Sequence, residues 1–223
     1  MAKEALISFI VPALNEEKYI ENTLRSIPTN CQIIIVDGIS EDKTREISKQ
    51  YGKVIRCNGN RAKRMNKGAK IASGDILVFL HPDTILPKNS AKLIREIIKK
   101  NDAGAFNLEF DHKSFLMNLT GFFSNLRMTS LRMIWGDQTL FMKKDVFTKL
   151  GGFKDMELFE DTEISKRLRK IAKIGFVKDK VVTSSRRYLR RGIIKQNLIN
   201  QILKILYVCG VSDKKLKNIY DKL

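Results

Sequence analysis

Short apolar runs alternate with helix-like segments over the first hundred residues, and this alternation constrains the fold more than any other feature. The runs occupy residues 6–11, 33–36, 54–55 and 76–80, and no charged residue interrupts them. Such runs are typical of strands buried on both faces, and intervening helices permit parallel connections between them. We therefore predict an α/β fold with a mostly parallel, Rossmann-like sheet and helices on both faces. Pro12 is expected to end the first strand, and Ser40 or Asp42 to cap the helix after the second.

The second half of the chain continues with strands and helices in a less regular order. Strands are predicted at 104–110 and 139–142, and helices at 115–126 and 157–172. Apolar residues then recur at helical spacing from 193 to 206, which predicts a C-terminal helical extension. Because no repeat or low-complexity linker divides the chain, we predict one domain, 1–223.

The formal charge of +18 favours an anionic partner but does not select one. Nucleotides, nucleic acid and an anionic membrane surface all remain open, as does a generic solvated surface. A dedicated nucleic-acid binder should interleave aromatic side chains with its basic residues, yet only Tyr188 lies inside the main basic cluster at 186–191. We expect no specific nucleic-acid partner.

The cysteines and the longest apolar stretches indicate the compartment. Cys31, Cys57 and Cys209 are far apart and form no C-x-x-C pair, which argues against a disulfide framework or a zinc cluster and is typical of a reducing cytosol. No apolar stretch approaches the roughly 18 residues needed to span a bilayer. The sequence therefore predicts a cytoplasmic protein.

The segment His81-Pro82-Asp83 directly follows a buried apolar run. Pro82 and Asp83 would serve in an ordinary turn. Alternatively, the segment belongs to a ligand site, because open α/β sheets bind ligands at the carboxyl ends of their strands. Asp83 could then ligate a divalent cation, and His81 could add a nitrogen ligand if the metal is Mn²⁺ rather than Mg²⁺.

Polar residues also follow the first two predicted strands. Asn15 and Glu16 come after the first, and Asp37 ends the second. An acid after the second strand typically accepts hydrogen bonds from a nucleotide ribose or base, although Asp37-Gly38 is also a turn signal.

Further along, a cation and a pair of acids each begin a predicted helix. Arg61 at a helix N-terminus suits a diphosphate, although a solvated basic face is the alternative. In Glu160-Asp161, one carboxylate could face a cleft as a general base, or both could neutralise the helix N-terminus. Arg186 and Arg187 could hold a phosphate, or they could belong to a solvated run of charges. Trp135 could stack on a sugar ring, or it could be a core residue.

The order of these motifs resembles that of the family 2 glycosyltransferases of the GT-A fold, in particular a small soluble bacterial and archaeal subgroup. The segments that carry the resemblance are IVPALNEE at 10–17, VDGISEDKT at 36–44, RAKRMNKGA at 61–69, GDILVFLHPDT at 74–84, GDQ at 136–138, GGF at 151–153 and the acid pair at 160–161. The likeness extends from about residue 6 to 210.

The resemblance implies a role for each of three parts of the chain. Residues 1–100 would bind a nucleotide-diphosphate sugar, 101–190 would hold the acceptor and catalytic groups, and 191–223 would form C-terminal helices. The implied nucleotide-sugar contacts are Pro12, Ala13, Asn15, Glu16, Asp37, Arg61 and Asp83. The implied acceptor or phosphate contacts are Trp135, Asp137, Gln138, Arg186 and Arg187.

The resemblance also implies an inverting, metal-dependent transfer to an acceptor hydroxyl or phosphate. Asp161 matches the catalytic base, with Glu160 in reserve, and Asp83 matches the last acid of the family's Asp-any-Asp metal motif. His81 stands where many members carry the first aspartate, so the identity of the cation, Mn²⁺ or Mg²⁺, stays open. Arg64 stands where a glutamine is expected.

Two alternatives concern the reaction and the partner. A nucleotidyltransferase that makes nucleotide sugars should carry a glycine-rich loop after the first strand, and residues 12–17 contain no glycine. The apolar helices at 114–126 and 193–208, with basic residues nearby, could lie on an anionic membrane at the inner face of the cell membrane and accept a lipid-linked substrate. The alternative is that both stripes pack into the core.

Overall fold

The apolar runs of the first hundred residues form one side of a sheet in a computed structural model that describes residues 4–223. Here β1 (Ile7–Ala13) lies between β2 (Gln32–Asp37) and β4 (Ile76–Phe79), and β3 (Lys53–Arg56) pairs with β2. All three pairings are parallel. The prediction of parallel pairing is confirmed.

The second half of the chain extends the same sheet. It contributes β6 (Ala103–Phe110), β7 (Phe141–Lys143) and β8 (Ile174–Thr183), and β5 (Thr84–Ile85) completes the order β3-β2-β1-β4-β7-β6-β8-β5. Only β7 and β5 run against the other strands within residues 4–223, so the sheet is mostly parallel as predicted. β8 was not predicted, because the exposed charges of Lys178, Asp179 and Lys180 interrupt its apolar pattern.

Helices cover both faces of the sheet. They are α1 (Ile20–Arg25), α2 (Thr44–Ser48), α3 (Arg61–Ile71), α4 (Ser90–Lys100), α5 (Phe115–Leu131), α6 (Lys144–Lys149), α7 (Glu160–Ile171), α8 (Arg186–Arg191), α9 (Ile193–Val208) and α10 (Asp213–Lys222). Neighbouring β1 residues point to opposite faces: Phe9 packs in the core with α1 and α4, and Ile10 in the core with α3 and α7. This confirms the predicted layers.

Two local predictions near the first strands need correction. Pro12 does not end β1, because Pro12 and Ala13 continue in parallel register with Val36 and Asp37. Neither predicted capping residue is the N-cap of α2, which is Lys43. Asp42 still accepts a hydrogen bond from the Thr44 N–H at 2.9 Å, but Ser40 instead accepts one from the Asn15 N–H at 3.0 Å.

The C-terminal helices confirm the predicted extension and leave much apolar surface exposed. Ile199, Leu203 and Leu216 bury one side of α9 and α10. By contrast, Phe115 of α5 is 79% exposed and Val208 of α9 is 78% exposed. The alternative in which both stripes pack fully into the core is therefore wrong.

Within residues 4–223, no helix combines the length and the apolar character needed to cross a bilayer. The single domain 1–223 and its division near residues 100 and 190 stay predictions, and residues 1–3 lie outside the described part of the chain.

Candidate active site

A cavity of about 210 Å³ opens beside the carboxyl end of β4. Seven of the residues singled out from the sequence line it: Arg61, His81, Asp83, Trp135, Asp137, Asp161 and Arg187. They come from five separate parts of the chain, and the sheet brings them together because its parallel strands end at one edge.

Arg61 is the central cation of this cavity. Asn60 caps α3 by accepting the Lys63 N–H at 3.0 Å, which fixes Arg61 in the first turn. The guanidinium donates to the Glu160 carboxylate and to His81 Nε2 at 3.1 Å, and its Nη2 lies 3.9 Å from Asp161 Oδ2. Burial opposes the charge, but Glu160 and Asp161 together raise the pKa of Arg61 above its ordinary value. Arg61 is therefore cationic.

His81 is a neutral hydrogen-bond acceptor. Burial, followed by the charges of Arg61, Arg187 and Arg186, holds the pKa of His81 well below its ordinary value. Since arginine can only donate, Nε2 of His81 must be the acceptor and Nδ1 carries the proton. Gly136 permits this position, because a Cβ there would lie 2.3 Å from His81 Nε2.

Asp161 and Glu160 differ in what they can do. Backbone N–H groups hold the Asp161 carboxylate: Gly136 donates to Oδ2 at 2.8 Å, and Thr162 donates to Oδ1 at 2.6 Å. Glu160 is only 1% exposed and is paired with Arg61. Asp161 lines the cavity and can reach a ligand, whereas Glu160 supports Arg61.

Asp83 and Glu16 share one arginine. Arg186 donates to both carboxylate oxygens of Glu16, at 2.7 and 2.6 Å, and its Nη2 lies 2.9 Å from Asp83 Oδ2. The guanidinium also lies over the ring of Tyr19. Burial opposes the charge, but Glu16 and Asp83 raise the pKa of Arg186 above its ordinary value. The structure thus places Arg186 between two carboxylates, and Arg187 faces the cavity.

The residues around Trp135 divide into a cavity group and a buried group. Burial, opposed by Arg127, raises the pKa of Asp137 to about 6, and Oδ1 of Asp137 has no hydrogen-bond partner within residues 4–223. Gln138 is fully buried, accepts hydrogen bonds from Arg127 and the Trp135 N–H, each at 3.1 Å, and does not line the cavity. It holds the turn that presents Trp135.

Apart from Arg61 and Asp83, the expected nucleotide-sugar contacts do not line the cavity and lie at or just after the ends of β1 and β2. Asp37 is fully buried; Oδ1 accepts the Ser40 N–H at 3.1 Å, and no hydrogen-bond donor for Oδ2 is found among residues 4–223. Asn15 accepts the Glu41 N–H at 2.9 Å, which joins the two strand-end loops. Pro12 and Ala13 are buried in β1. Of this group, Asp37 offers an acceptor oxygen that receives no hydrogen bond within residues 4–223, although Arg56 Nε lies 3.9 Å from it.

Strained backbone is found in the loops of this edge. Asn15, Ile39, Thr139 and Phe159 all have positive φ, between 51° and 69°. For the β-branched Ile39 and Thr139 this conformation is costly, and strain of this kind is typically retained at functional sites.

The expected metal ligands fit a cation only in part. No group of three or more His, Cys, Asp or Glu side chains in residues 4–223 is arranged to hold a metal ion. Asp83 lines the cavity and could supply one carboxylate ligand. His81 does not fit, because Nε2 receives the Arg61 hydrogen bond and three arginines surround the ring.

Two more cations lie at this site: Arg127, which was not singled out from the sequence, and Lys204, which was considered only among the basic residues near the apolar helices. Arg127 Cζ is 3.2 Å and Lys204 Nζ is 3.9 Å from the centre of the Trp135 ring. The available signal was the position of Arg127 as the one charged residue of α5. A single cation in an otherwise uncharged helix indicates a specific role.

The family comparison matches residues 8–149 to the model described as Glycosyl transferase family 2. One curated relative is a dolichyl N-acetyl-α-D-glucosaminyl phosphate 3-β-D-2,3-diacetamido-2,3-dideoxy-β-D-glucuronosyltransferase from Methanococcus voltae, 31% identical over 113 residues, which are 42% of this chain and 35% of that protein. The chain spans about half or less of the length of the curated relatives that it matches.

Two solved structures share the fold. One is Staphylococcus aureus TarS 1–349 in complex with UDP-GlcNAc, with a TM-score of 0.64 at 21% sequence identity. The match covers 81% of this chain and 58% of the TarS chain. The mannosyltransferase PcManGT from Pyrobaculum calidifontis, in complex with GDP-Man and Mn²⁺, has a TM-score of 0.65 at 18% identity, with coverages of 81% and 57%.

Proposed function

This chain belongs to glycosyl transferase family 2 and has the GT-A fold, and from that premise we propose that it transfers a sugar from a nucleotide-diphosphate sugar to an acceptor hydroxyl with inversion. The observation that carries the proposal is the convergence of Arg61, Asp83 and Asp161 on one cavity at the strand ends. Neither nucleic-acid binding nor nucleotidyl transfer is favoured by family membership.

Asp161 is the proposed catalytic base. Its carboxylate is oriented by the N–H groups of Gly136 and Thr162, so a lone pair can be directed at an acceptor hydroxyl in the cavity. As the acceptor oxygen attacks the anomeric carbon, its proton passes to Asp161. The new carbon–oxygen bond forms while the bond to the diphosphate breaks, and the nucleoside diphosphate leaves with the electron pair. Glu160 is not proposed as the base, because Arg61 already occupies its carboxylate.

Arg61 is proposed to stabilise the leaving diphosphate. The acids beside it keep the guanidinium charged, and the Glu160 and His81 contacts fix its direction before the reaction starts. A preorganised cation of this kind acts on charge that grows only in the transition state. Arg187, which lines the same cavity, is proposed as a second phosphate contact.

The nucleotide is proposed to lie at the ends of β1 and β2. Oδ2 of Asp37, which receives no hydrogen bond within residues 4–223, would accept one from the ribose or the base. Pro12, Ala13, Asn15 and Glu16 would form the surrounding wall. The complexes of TarS with UDP-GlcNAc and of PcManGT with GDP-Man support a nucleotide-sugar donor.

A divalent cation, Mn²⁺ or Mg²⁺, stays part of the proposal, supported by the Mn²⁺ complex of PcManGT. Asp83 would hold it together with donor phosphate oxygens and water. Such a cation would neutralise charge on the leaving diphosphate.

The test has a binding arm and a turnover arm. In the binding arm, UDP, GDP, CDP, ADP and dTDP are screened by thermal shift with Mn²⁺, Mg²⁺ or EDTA; a ligand at about 100 times its Kd should stabilise by roughly 2.7 kcal/mol. In the turnover arm, release of nucleoside diphosphate from UDP-GlcNAc and GDP-mannose is measured with candidate acceptors.

We expect Asp161→Asn to lose turnover and keep nucleotide binding. Glu96→Gln, on the exposed side of α4, is the matched control. Full turnover by Asp161→Asn, or no shift with any nucleotide, would refute the proposal.

A further inference from the structure

An apolar groove of about 520 Å³ runs between α5 and α9 and opens beside the catalytic cavity. The two spaces share Trp135, Tyr188, Asn200 and Lys204 as lining residues. A molecule in the groove can therefore extend past Trp135 toward Asp161 without leaving the protein surface.

The walls of the groove are apolar side chains that remain open to solvent. Phe123 of α5 is 57% exposed, and Leu198 of α9 is 58% exposed. Leu116, Leu119, Ile193 and Ile194 also belong to the apolar lining. Single exposed apolar residues are ordinary, but a contiguous exposed patch marks a binding surface.

Two cations stand where the groove meets the cavity. Arg127 and Lys204 both lie against the Trp135 ring. Nε and Nη1 of Arg127 are buried without a hydrogen-bond partner. Neither cation forms an ion pair within 4.0 Å among residues 4–223, although the charge of the Asp137 carboxylate acts on both. The two neighbouring cations repel each other, and an anion beside both would reduce that repulsion and offer acceptors to the unpaired N–H groups of Arg127.

We propose that the acceptor is an anionic amphiphile, namely a lipid phosphate: its alkyl chain occupies the α5–α9 groove and its phosphate binds Arg127 and Lys204. This inference rests on the proposed glycosyl transfer, because it assigns the groove to the acceptor of that reaction. The adjoining cavity would then receive a hydroxyl-bearing group linked to that phosphate, and the hydroxyl of this group is the acceptor. Charge complementarity and the continuity of the two spaces select this occupant over a neutral lipid.

Trp135 provides a direct probe, because it is the only tryptophan of the chain. Its fluorescence is followed during titration with dodecyl phosphate below the critical micelle concentration. We expect a saturable change, with dodecanol and inorganic phosphate each binding about tenfold or more weakly, since each lacks half of the recognised chemistry. Equal binding of dodecanol would overturn the role of the cations. Binding of inorganic phosphate alone would overturn the role of the groove.

Matched variants show whether dodecyl phosphate binds in the groove or non-specifically along the exposed apolar surface of α9. Leu198→Glu places a carboxylate in the groove, whereas Ile205→Glu places one about two turns further along the same exposed face of α9, outside the groove lining. We expect Leu198→Glu to weaken dodecyl phosphate binding about tenfold or more, and Ile205→Glu to leave it nearly unchanged. Lys204→Gln should weaken dodecyl phosphate and leave dodecanol binding unchanged. Equal weakening by both glutamates would indicate broad surface docking, as on a membrane, and would overturn the groove.

Nucleotide binding is measured by thermal shift in the same samples. Nucleotide binding without dodecyl phosphate binding would overturn this inference and leave the proposed function standing. Dodecyl phosphate binding without nucleotide binding would refute the proposed function, and with it the assignment of the groove to an acceptor.

Discussion

Arg186 holds both carboxylate oxygens of Glu16, at 2.7 and 2.6 Å, although 170 residues separate the two along the chain. The pair ties α8, which precedes the C-terminal extension, to the loop that follows β1. Because Arg186 also contacts Asp83, this one guanidinium connects the expected nucleotide and diphosphate regions.

Loss of this clamp should destabilise the protein. Arg186→Ala leaves two partly buried carboxylates without their shared partner, and we expect the free energy of unfolding to fall by about 1–3 kcal/mol. Arg186→Lys should recover little, because an ammonium cannot contact both oxygens of a carboxylate in the bidentate geometry. Urea denaturation measures the change, with Arg190→Ala on the exposed side of α8 as control. Equal stability of Arg186→Ala and Arg190→Ala would contradict the clamp.

Two glycine substitutions should have opposite effects on stability. A Cβ on Gly136 would lie 2.3 Å from His81 Nε2, whereas a Cβ on Gly121 would meet nothing closer than 3.8 Å. We expect Gly136→Ala to cost about 1–3 kcal/mol through overpacking. Gly121→Ala, inside α5, should stabilise by roughly 0.5–1 kcal/mol. Thermal denaturation compares them, and equal stability of the two variants would contradict the close packing of His81 on Gly136.

The raised pKa of Asp137 predicts a pH-dependent stability. Burial, opposed by Arg127, brings that pKa to about 6, so the folded protein binds more protons than the unfolded chain between about pH 4 and 6. The free energy of unfolding should therefore fall as the pH rises through this window. Asp137→Asn should be more stable than the parent by about 1–3 kcal/mol above pH 6, with the difference vanishing below pH 4. Urea titrations at several pH values measure this, with the exposed Asp145→Asn as control. A difference independent of pH would exclude ionisation as the cause.

Removal of the metal ion should show whether Asp83 or His81 binds the cation. If Asp83 holds the cation and His81 only accepts the Arg61 hydrogen bond, Asp83→Asn should lose the difference between Mn²⁺ and EDTA in nucleotide thermal shifts. His81→Gln keeps an acceptor for Arg61 and should retain that difference. Loss of the metal response in His81→Gln would instead identify His81 as a ligand. No response to EDTA in the parent chain would remove the cation from the mechanism.

The parts of the fold that follow from local pattern could be predicted from the sequence. β1 to β4 each contain one of the short apolar runs, and the parallel sheet brings His81, Asp83 and Arg61 to one edge. β8 could not be predicted, because solvent-exposed charges at 178–180 break its periodicity while its pairing with β6 supplies the stabilisation.

The contacts made by the site residues could not be predicted in the same way. The Arg186–Glu16 pair and the close packing of His81 on Gly136 depend on tertiary geometry that no spacing in the chain encodes. The pairing of Arg127 with Lys204 on Trp135 likewise joins α5 to α9, and only the isolation of the Arg127 charge in α5 pointed to it.

Binding of an anionic amphiphile should be coupled to proton uptake at Lys204. Burial, followed by the charge of Arg127, lowers the pKa of Lys204 to about 8, so at pH 8.5 most molecules carry a neutral amine there. A phosphate placed beside it would raise that pKa toward its ordinary value, and binding should take up roughly 0.5–0.8 proton at pH 8.5. Calorimetry of dodecyl phosphate binding in two buffers of different ionisation enthalpy measures the number. Lys204→Gln should show no uptake, and at pH 8.5 the phosphate itself stays dianionic and contributes none. Uptake that persists in Lys204→Gln would assign the proton to another group and move the phosphate away from Lys204.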